Sequence, residues 1–174
     1  MKIEYKNIII RNAEKGDCGQ LAKWWNDGSV MAHAGFPNGL GTNAEEIEKQ
    51  IKTDNDNSKR RLIIENDHVP IGEMSYYNLG DNIAEIGIKI CEPGYQEKGL
   101  GRIILSMLIG KLFNMGYKKI ILDTNLKNER AQHVYEKLGF TKVGVRKDAW
   151  TDQLGVLQSA VDYELTREHF IEYK

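Results

Sequence analysis

The chain has 174 residues, 41% hydrophobic and 28% charged, which is typical of one soluble globular domain, so we predict a single domain spanning residues 1–174. Its 24 basic and 25 acidic side chains leave a net charge of -1 without a long run of one sign, which argues against nucleic acid or a membrane as the main partner. Cys18 and Cys91 lack the spacing of a disulfide or metal framework. The apolar runs are too short for a signal peptide or a membrane span, so a cytoplasmic protein is expected.

The first half of the chain predicts helices and strands in which the glycine-rich residues 26–43 form an ordered loop. Between residues 60 and 90, apolar runs alternate with turn residues, as in antiparallel strands. In chain order, the predicted elements are a strand near Ile8–Arg11, a helix from about Asp17 to Trp25, a helix capped by Thr42 or Asn43, and three antiparallel strands with turns at Asn66-Asp67 and Gly80-Asp81.

After residue 90 the pattern changes to strand, helix, strand. A strand that enters a crossover helix and returns as a strand makes a parallel pair, so Ile83–Ile90 and Lys119–Thr124 are expected to lie parallel. The remaining elements are a helix from Leu100 to Gly116, a helix over Asn128–Leu138, and strands over Thr141–Arg146 and Ser159–Leu165. The sequence therefore predicts an α/β fold with a mixed, mostly antiparallel sheet and a central parallel strand pair flanked by helices.

The stretch Gln96-Glu97-Lys98-Gly99-Leu100-Gly101 precedes the helix that connects the parallel strands. A helix begins with unpaired N–H groups and a partial positive charge, so a glycine loop there can receive a phosphate. The plainer interpretation is a tight turn eased by two glycines. A Walker A loop is absent, and Ile104 stands where a dinucleotide fingerprint needs its third glycine.

This Gln-x-x-Gly-x-Gly loop and the later run "NERAQHVYEKLGF", Asn128 to Phe140, resemble the two cofactor motifs of the GCN5-related N-acetyltransferases, the GNAT family. The flanking segments resemble, more loosely, the branch that contains ribosomal-protein N-terminal and aminoglycoside N-acetyltransferases. The resemblance implies a single-domain GNAT fold. It also implies an enzyme that moves acetyl from acetyl-CoA to a primary amine by direct attack in a ternary complex.

The resemblance further implies which residues bind acetyl-CoA. It assigns the pyrophosphate to backbone N–H groups, where glycines leave room for close approach, and the pantetheine to a strand edge. The implied residues are Gln96, Glu97, Lys98, Gly99, Leu100 and Gly101 at the pyrophosphate, Ile88, Lys89 and Ile90 along the pantetheine, and Asn128, which also suits a helix cap.

Two residues are candidates for the chemistry. By spacing alone Tyr135 is a core aromatic, but the resemblance implies that it protonates the departing CoA thiolate, and a phenol with a pKa of about 10 holds its proton where a thiol of about 8.5 does not. Strand alternation places Glu85 on the face opposite Ile86. Glu85 is the candidate general base or a group that attracts the ammonium; Glu73 and water are the alternatives.

The acceptor amine is not identified by the sequence, and a protein N-terminus and a small molecule both stay open. Trp24, Trp25 and Trp150 are candidates for lining its pocket, and Asp148 and Asp152 for meeting a cationic amine. The alternative functions are a catalytically silent acyl-CoA-binding module that senses its ligand and an aminoglycoside-type resistance acetyltransferase.

No metal is predicted, because the four histidines lack ligand spacing. The chain is expected to be a monomer or a homodimer.

Overall fold

The structure, a computed structural model, describes residues 1–174 and contains one mixed eight-stranded sheet. The strands are β1 (Lys2–Tyr5), β2 (Ile8–Asn12), β3 (Lys59–Asn66), β4 (Val69–Gly80), β5 (Ile83–Ile90), β6 (Lys119–Asn125), β7 (Thr141–Thr151) and β8 (Leu157–Thr166). They lie in the order β1-β2-β3-β4-β5-β6-β8-β7. Only β5 and β6 pair in parallel; the other neighbours are antiparallel. The predicted fold class is confirmed.

Helices cover both faces of this sheet. They are α1 (Cys18–Trp25), α2 (Gly28–Met31), α3 (Ala44–Ile51), α4 (Leu100–Asn114) and α5 (Glu129–Lys137). The alternation along β3 separates two cores, since Leu62 and Ile64 join the core under α4 and α5, whereas Ile63 joins Leu21 and Ile47 on the other face. No helix combines the length and the apolar character that crossing a membrane requires.

The central helix α4 is buried more completely than an amphipathic helix on a protein surface. The predicted apolar positions Ile104 and Leu108 are buried, and so are Leu105, Ile109 and Phe113, which lie elsewhere around the helix. The additional cover includes the C-terminal segment, whose Phe170 ring lies 5.8 Å from that of Phe113. A helix enclosed on several sides holds its N-terminus in a fixed position relative to the sheet.

Several elements differ from the sequence prediction. The strand β1 was not predicted because it is a four-residue edge strand with a single apolar alternation, and α2 lies within the predicted loop. The strand β7 continues to Thr151 although none of its residues is buried, because backbone pairing with β8 resumes after a bulge. Both β3-β4 and β4-β5 turns lie one residue later, at Asp67-His68 and Asp81-Asn82, with positive φ at both positions as in type I′ hairpins.

Candidate active site

The two parallel strands separate at the centre of the sheet. Strand β5 pairs with β6 only at Ile83, Ala84 and Glu85, which face Lys119, Ile120 and Ile121. From residue 86 to residue 90 β5 still pairs with β4, but its other edge has no partner strand. Successive residues of an antiparallel strand direct their backbone groups to alternate edges of the strand. The Cys91 N–H bonds to the Ile71 carbonyl, on the β4 side. The backbone groups of Ile88 and Ile90 therefore face the opening.

The glycine loop lies at the end of this unpaired edge. Gln96 Nε2 donates to the Ile90 carbonyl at 2.9 Å, which ties the loop to β5. Gly99 is the N-cap of α4 with φ 75°, a left-handed conformation that favours glycine. A Cβ built on Gly99 meets nothing within 4 Å, and one on Gly101 meets only Ile90 Cδ1 at 3.8 Å. The protein itself leaves space above these backbone groups.

The second motif forms the opposite wall. Asn128 caps α5, its Oδ1 accepting from the Ala131 N–H at 3.3 Å. Two turns further on, Tyr135 is only 7% exposed, and its ring packs 5.7 Å from that of Tyr163. The Tyr163 hydroxyl donates to Glu136 Oε1, whereas the Tyr135 hydroxyl has no protein hydrogen-bond partner although the residue lines the opening. Burial raises the pKa of Tyr135 to about 12, so the phenol keeps its proton at neutral pH.

Three charged side chains, those of Asp123, Arg146 and Asp162, lie near Glu85 on the other face of the sheet. Arg146 Nη2 donates to Asp123 Oδ2 at 2.8 Å, and its Nε donates to Asp162 Oδ2 at 2.9 Å. Burial raises the pKa of Glu85, the Asp123 carboxylate raises it further, and the Arg146 guanidinium partly opposes this rise. A carboxylate with a raised pKa at the strand separation is suited to accept a proton from an ammonium group.

One cleft of about 1160 Å³ connects these parts. Its walls come from β4, β5, α4, β6 and α5 and from the segment around α2. Of the residues predicted for the site, those that line the cleft are Glu85, Ile88, Lys89, Ile90, Gln96, Glu97, Gly99, Leu100, Gly101, Asn128 and Tyr135. Lys98 is the one predicted cofactor residue outside the cleft lining.

Several alternative candidates lie elsewhere. Glu73, the other candidate base, is outside the cleft lining and forms an ion pair with Lys89 at 3.5 Å. Trp24 is buried in the core under α1, with its indole N–H bonded to Glu92. Asp152 accepts backbone N–H groups of the β7-β8 hairpin turn. Structural contacts therefore account for all three.

Other lining residues were not singled out from the sequence. His33 reaches the cleft from the turn after α2, Tyr77 from β4 and Arg130 from the first turn of α5. Trp150, a predicted candidate, also lines the cleft, and its ring lies so close to Gly35 that a Cβ there would be 2.3 Å from Cζ3. Only Arg130 had a local signal, since it follows Asn128 by two residues within the second motif. No group of three or more His, Cys, Asp or Glu side chains is arranged to hold a metal ion.

The geometry of a split parallel pair, a glycine loop and a capped second helix agrees with the comparison to known families. Residues 7–141 match the model of the acetyltransferase (GNAT) domain. The chain belongs to the GNAT acetyltransferase family. This confirms the predicted family and the prediction of an acetyl-CoA-dependent acetyltransferase.

This GNAT acetyltransferase is similar to the spermidine N(1)-acetyltransferase of Escherichia coli strain K12, with 30% identity over 79% of the chain and 75% of that protein. It is 32% identical to the ribosomal protein bS18-alanine N-acetyltransferase of Haemophilus influenzae over 57% of the chain and 66% of that protein. Its fold matches the crystal structure of spermidine N-acetyltransferase from Vibrio cholerae in complex with CoA and spermine, with a TM-score of 0.81, 24% identity and coverage of 94% and 97% of the two chains.

Proposed function

We propose that the protein transfers acetyl from acetyl-CoA to a primary amine by direct attack while both substrates occupy the cleft. The observation that carries this proposal is the opening between β5 and β6, with Glu85 at its base and Tyr135 on its wall. The cleft volume of about 1160 Å³ exceeds that of an ordinary small-molecule pocket, up to about 1000 Å³. A cleft of this size suits a ligand larger than a drug-sized molecule, such as an acyl-CoA.

The residues present fit a CoA-type ligand. The free edge of β5 at Ile88 and Ile90 offers backbone groups to the pantetheine amides, as an added strand would use them. The N-terminus of α4 offers amides to the pyrophosphate, and the space above Gly99 and Gly101 lets phosphate oxygens approach. Asn128 lies across the cleft from this loop. When bound, acetyl-CoA supplies an acetyl group already activated as a thioester.

Two side chains then manage the protons. Glu85 accepts a proton from the incoming ammonium, directly or through water, because a free amine is needed for attack. Backbone groups at the strand separation polarise the carbonyl. Tyr135 donates its hydroxyl proton to the departing thiolate sulfur, and the second proton, which the nitrogen loses as the amide forms, returns to the Tyr135 oxygen through water in the cleft. With a pKa of about 12, it holds that proton at every pH at which the enzyme works.

The acceptor is proposed to be a cationic amine, either a polyamine-like small molecule or a protein N-terminus. The relatives named above act on spermidine and on a ribosomal protein. The cleft is lined by Tyr77 and Trp150 and by the carboxylates of Glu85 and Asp123, and Tyr77 lies opposite Glu85 on the neighbouring strand. Such a mixture suits a positively charged chain. The strands β7 and β8 belong to the same sheet as the matched residues, which supports the proposal that residues 1–174 act as one domain. We propose that this domain is a monomer or a homodimer.

A panel assay tests the proposal. Release of CoA thiol is followed with acetyl-CoA and, in separate reactions, polyamines, peptides with free N-termini and aminoglycosides; mass spectrometry then checks the amine for one added acetyl group. Turnover with at least one amine supports the proposal, and the acceptor identifies the substrate class. Binding of acetyl-CoA by calorimetry without release in the presence of any amine would favour the silent sensing module instead.

A further inference from the structure

An ion pair crosses the mouth of the cleft between the two cofactor motifs. Arg130 Nη2 lies 2.6 Å from Glu97 Oε1. Glu97 belongs to the loop before α4, and Arg130 belongs to the first turn of α5. Both residues line the cleft, and their side chains are 64% and 69% exposed, Arg130 being the less exposed.

Glu97 is an unfavourable residue for a loop that receives phosphate. Its φ of 59° is left-handed, which fixes the loop next to the equally left-handed Gly99. A carboxylate there repels a polyanion approaching the same backbone amides. In the structure Arg130 neutralises that carboxylate, so the loop does not present a net negative charge at the cleft.

The ion pair can be exchanged at low cost. An exposed pair in water contributes little to stability, and arginine binds phosphate with a bidentate geometry that is stronger than an exposed pair with a single carboxylate oxygen. The other nearby guanidinium, that of Arg102, is held 4.4 Å over the Tyr173 ring. Arg130 is therefore the cleft-lining arginine free to turn toward a ligand.

We propose that Arg130 is a cofactor-binding residue that exchanges Glu97 for a phosphate group of CoA when CoA enters the cleft. This inference rests on the proposed function, because it requires the cleft to bind CoA. Glu97 then acts against affinity, and its pairing with Arg130 sets how strongly CoA binds. Two like-charged groups compete for one guanidinium, so removal of each partner has an opposite effect.

Calorimetric titration with CoA itself tests the exchange without any need for an acceptor. We expect Arg130→Ala to raise the Kd for CoA by about fivefold or more, since a charged phosphate contact is lost. We expect Glu97→Gln to lower the Kd. Arg130→Lys should give an intermediate Kd, because lysine keeps the positive charge but cannot donate the two parallel hydrogen bonds of a guanidinium. The matched control is Lys2→Ala, which breaks the similarly exposed Lys2–Glu4 pair on β1 and leaves the Kd unchanged.

The opposite changes in Kd distinguish the proposed exchange from an ion pair with a purely structural role. If the pair only holds the loop before α4 against α5, Arg130→Ala and Glu97→Gln both weaken the same contact and both raise the Kd, which would overturn the proposal. An unchanged Kd in Arg130→Ala would also overturn it. Failure of the wild-type protein to bind CoA would instead contradict the proposed function.

Dephospho-CoA, which keeps the pyrophosphate and lacks the 3′-phosphate, locates the contact. If Arg130→Ala also raises the Kd for dephospho-CoA, Arg130 contacts the pyrophosphate. If the variant and the wild type bind dephospho-CoA with the same Kd, Arg130 contacts the 3′-phosphate. The exposed position of both side chains leaves the fold intact in each variant, and an unchanged melting temperature checks this.

Discussion

Glu85 and Tyr135 reach the same cleft from opposite faces of the sheet. The neighbour of Glu85, Ala84, is buried in the core under α4 and α5, so strand alternation turns Glu85 to the other face. Tyr135 belongs to that core and packs against Tyr163. The proposed base and the proposed acid therefore lie on opposite sides of the split strands, where one can serve the attacking amine and the other the departing sulfur.

Replacing Glu85 with glutamine tests the base. We expect Glu85→Gln to lower the rate more at pH 6.5 than near pH 9.5, because an amine with a pKa of about 10 is almost fully charged at the lower pH and must lose a proton before attack. The raised pKa of Glu85 also moves the acidic limb of the wild-type profile to higher pH than an ordinary carboxylate gives, since the base works only when deprotonated. Steady-state rates across this range provide the measurement.

The corresponding control is Glu73→Gln, which removes the other candidate carboxylate, a residue outside the cleft lining. Its pH profile is expected to match the wild type. A profile altered in Glu73→Gln and unaltered in Glu85→Gln would reverse the assignment of the base.

Replacing Gly101 with valine tests the pyrophosphate loop. The nearest protein atom to a Cβ at Gly101 is 3.8 Å away, so the fold should tolerate the change, while the side chain occupies the space that a phosphate needs. We expect the Kd for acetyl-CoA to rise at least about tenfold, equivalent to about 1.4 kcal/mol. Gly99 is less suitable for this test because its left-handed φ makes any substitution strained.

Gly110 provides a control within the same helix. A Cβ there meets only Phe170 Cε2 at 3.9 Å, and Gly110→Val should leave cofactor affinity unchanged. Equal affinities of Gly101→Val and wild type, measured by calorimetry on folded protein, would remove the pyrophosphate from this loop.

Replacing Asn128 with aspartate tests whether this residue contacts the cofactor as well as capping α5. Asn128→Asp retains an N-cap of about equal quality, so the melting temperature should stay close to that of the wild type. The added negative charge faces the cleft and should weaken binding of acetyl-CoA severalfold. A variant that binds acetyl-CoA as tightly as the wild type would limit Asn128 to its capping hydrogen bond with Ala131.

The central part of the fold could be predicted because its signals are local. The glycine loop, the helix beginning at Leu100 and the cap at Asn128 each occupy a few consecutive residues, and the crossover rule then places β5 beside β6. The face of β5 on which Glu85 lies could be predicted in the same way, through alternation along one strand.

The rest of the site depends on contacts between distant segments. Trp150 lies over Gly35, 115 residues apart in the chain, and neither position carries a pattern that predicts the other. The same holds for Glu97 and Arg130, whose pairing follows from how closely α5 approaches the loop before α4. The edge strand β7 has no buried residue, so hydrophobic alternation could not define its length.

The Tyr135→Phe variant tests the proposed acetyl-transfer mechanism most directly, because Tyr135 is the proposed proton donor. The change keeps nearly all of the buried ring, so the melting temperature should hold, while kcat should fall by about a hundredfold or more with little change in acetyl-CoA affinity. Tyr163→Phe is the matched control, since Tyr163 is buried next to Tyr135, its burial likewise raises its pKa to about 12, and its hydroxyl bonds Glu136. A Tyr135→Phe enzyme within about threefold of wild type, a change far below a general-acid effect, would contradict the account.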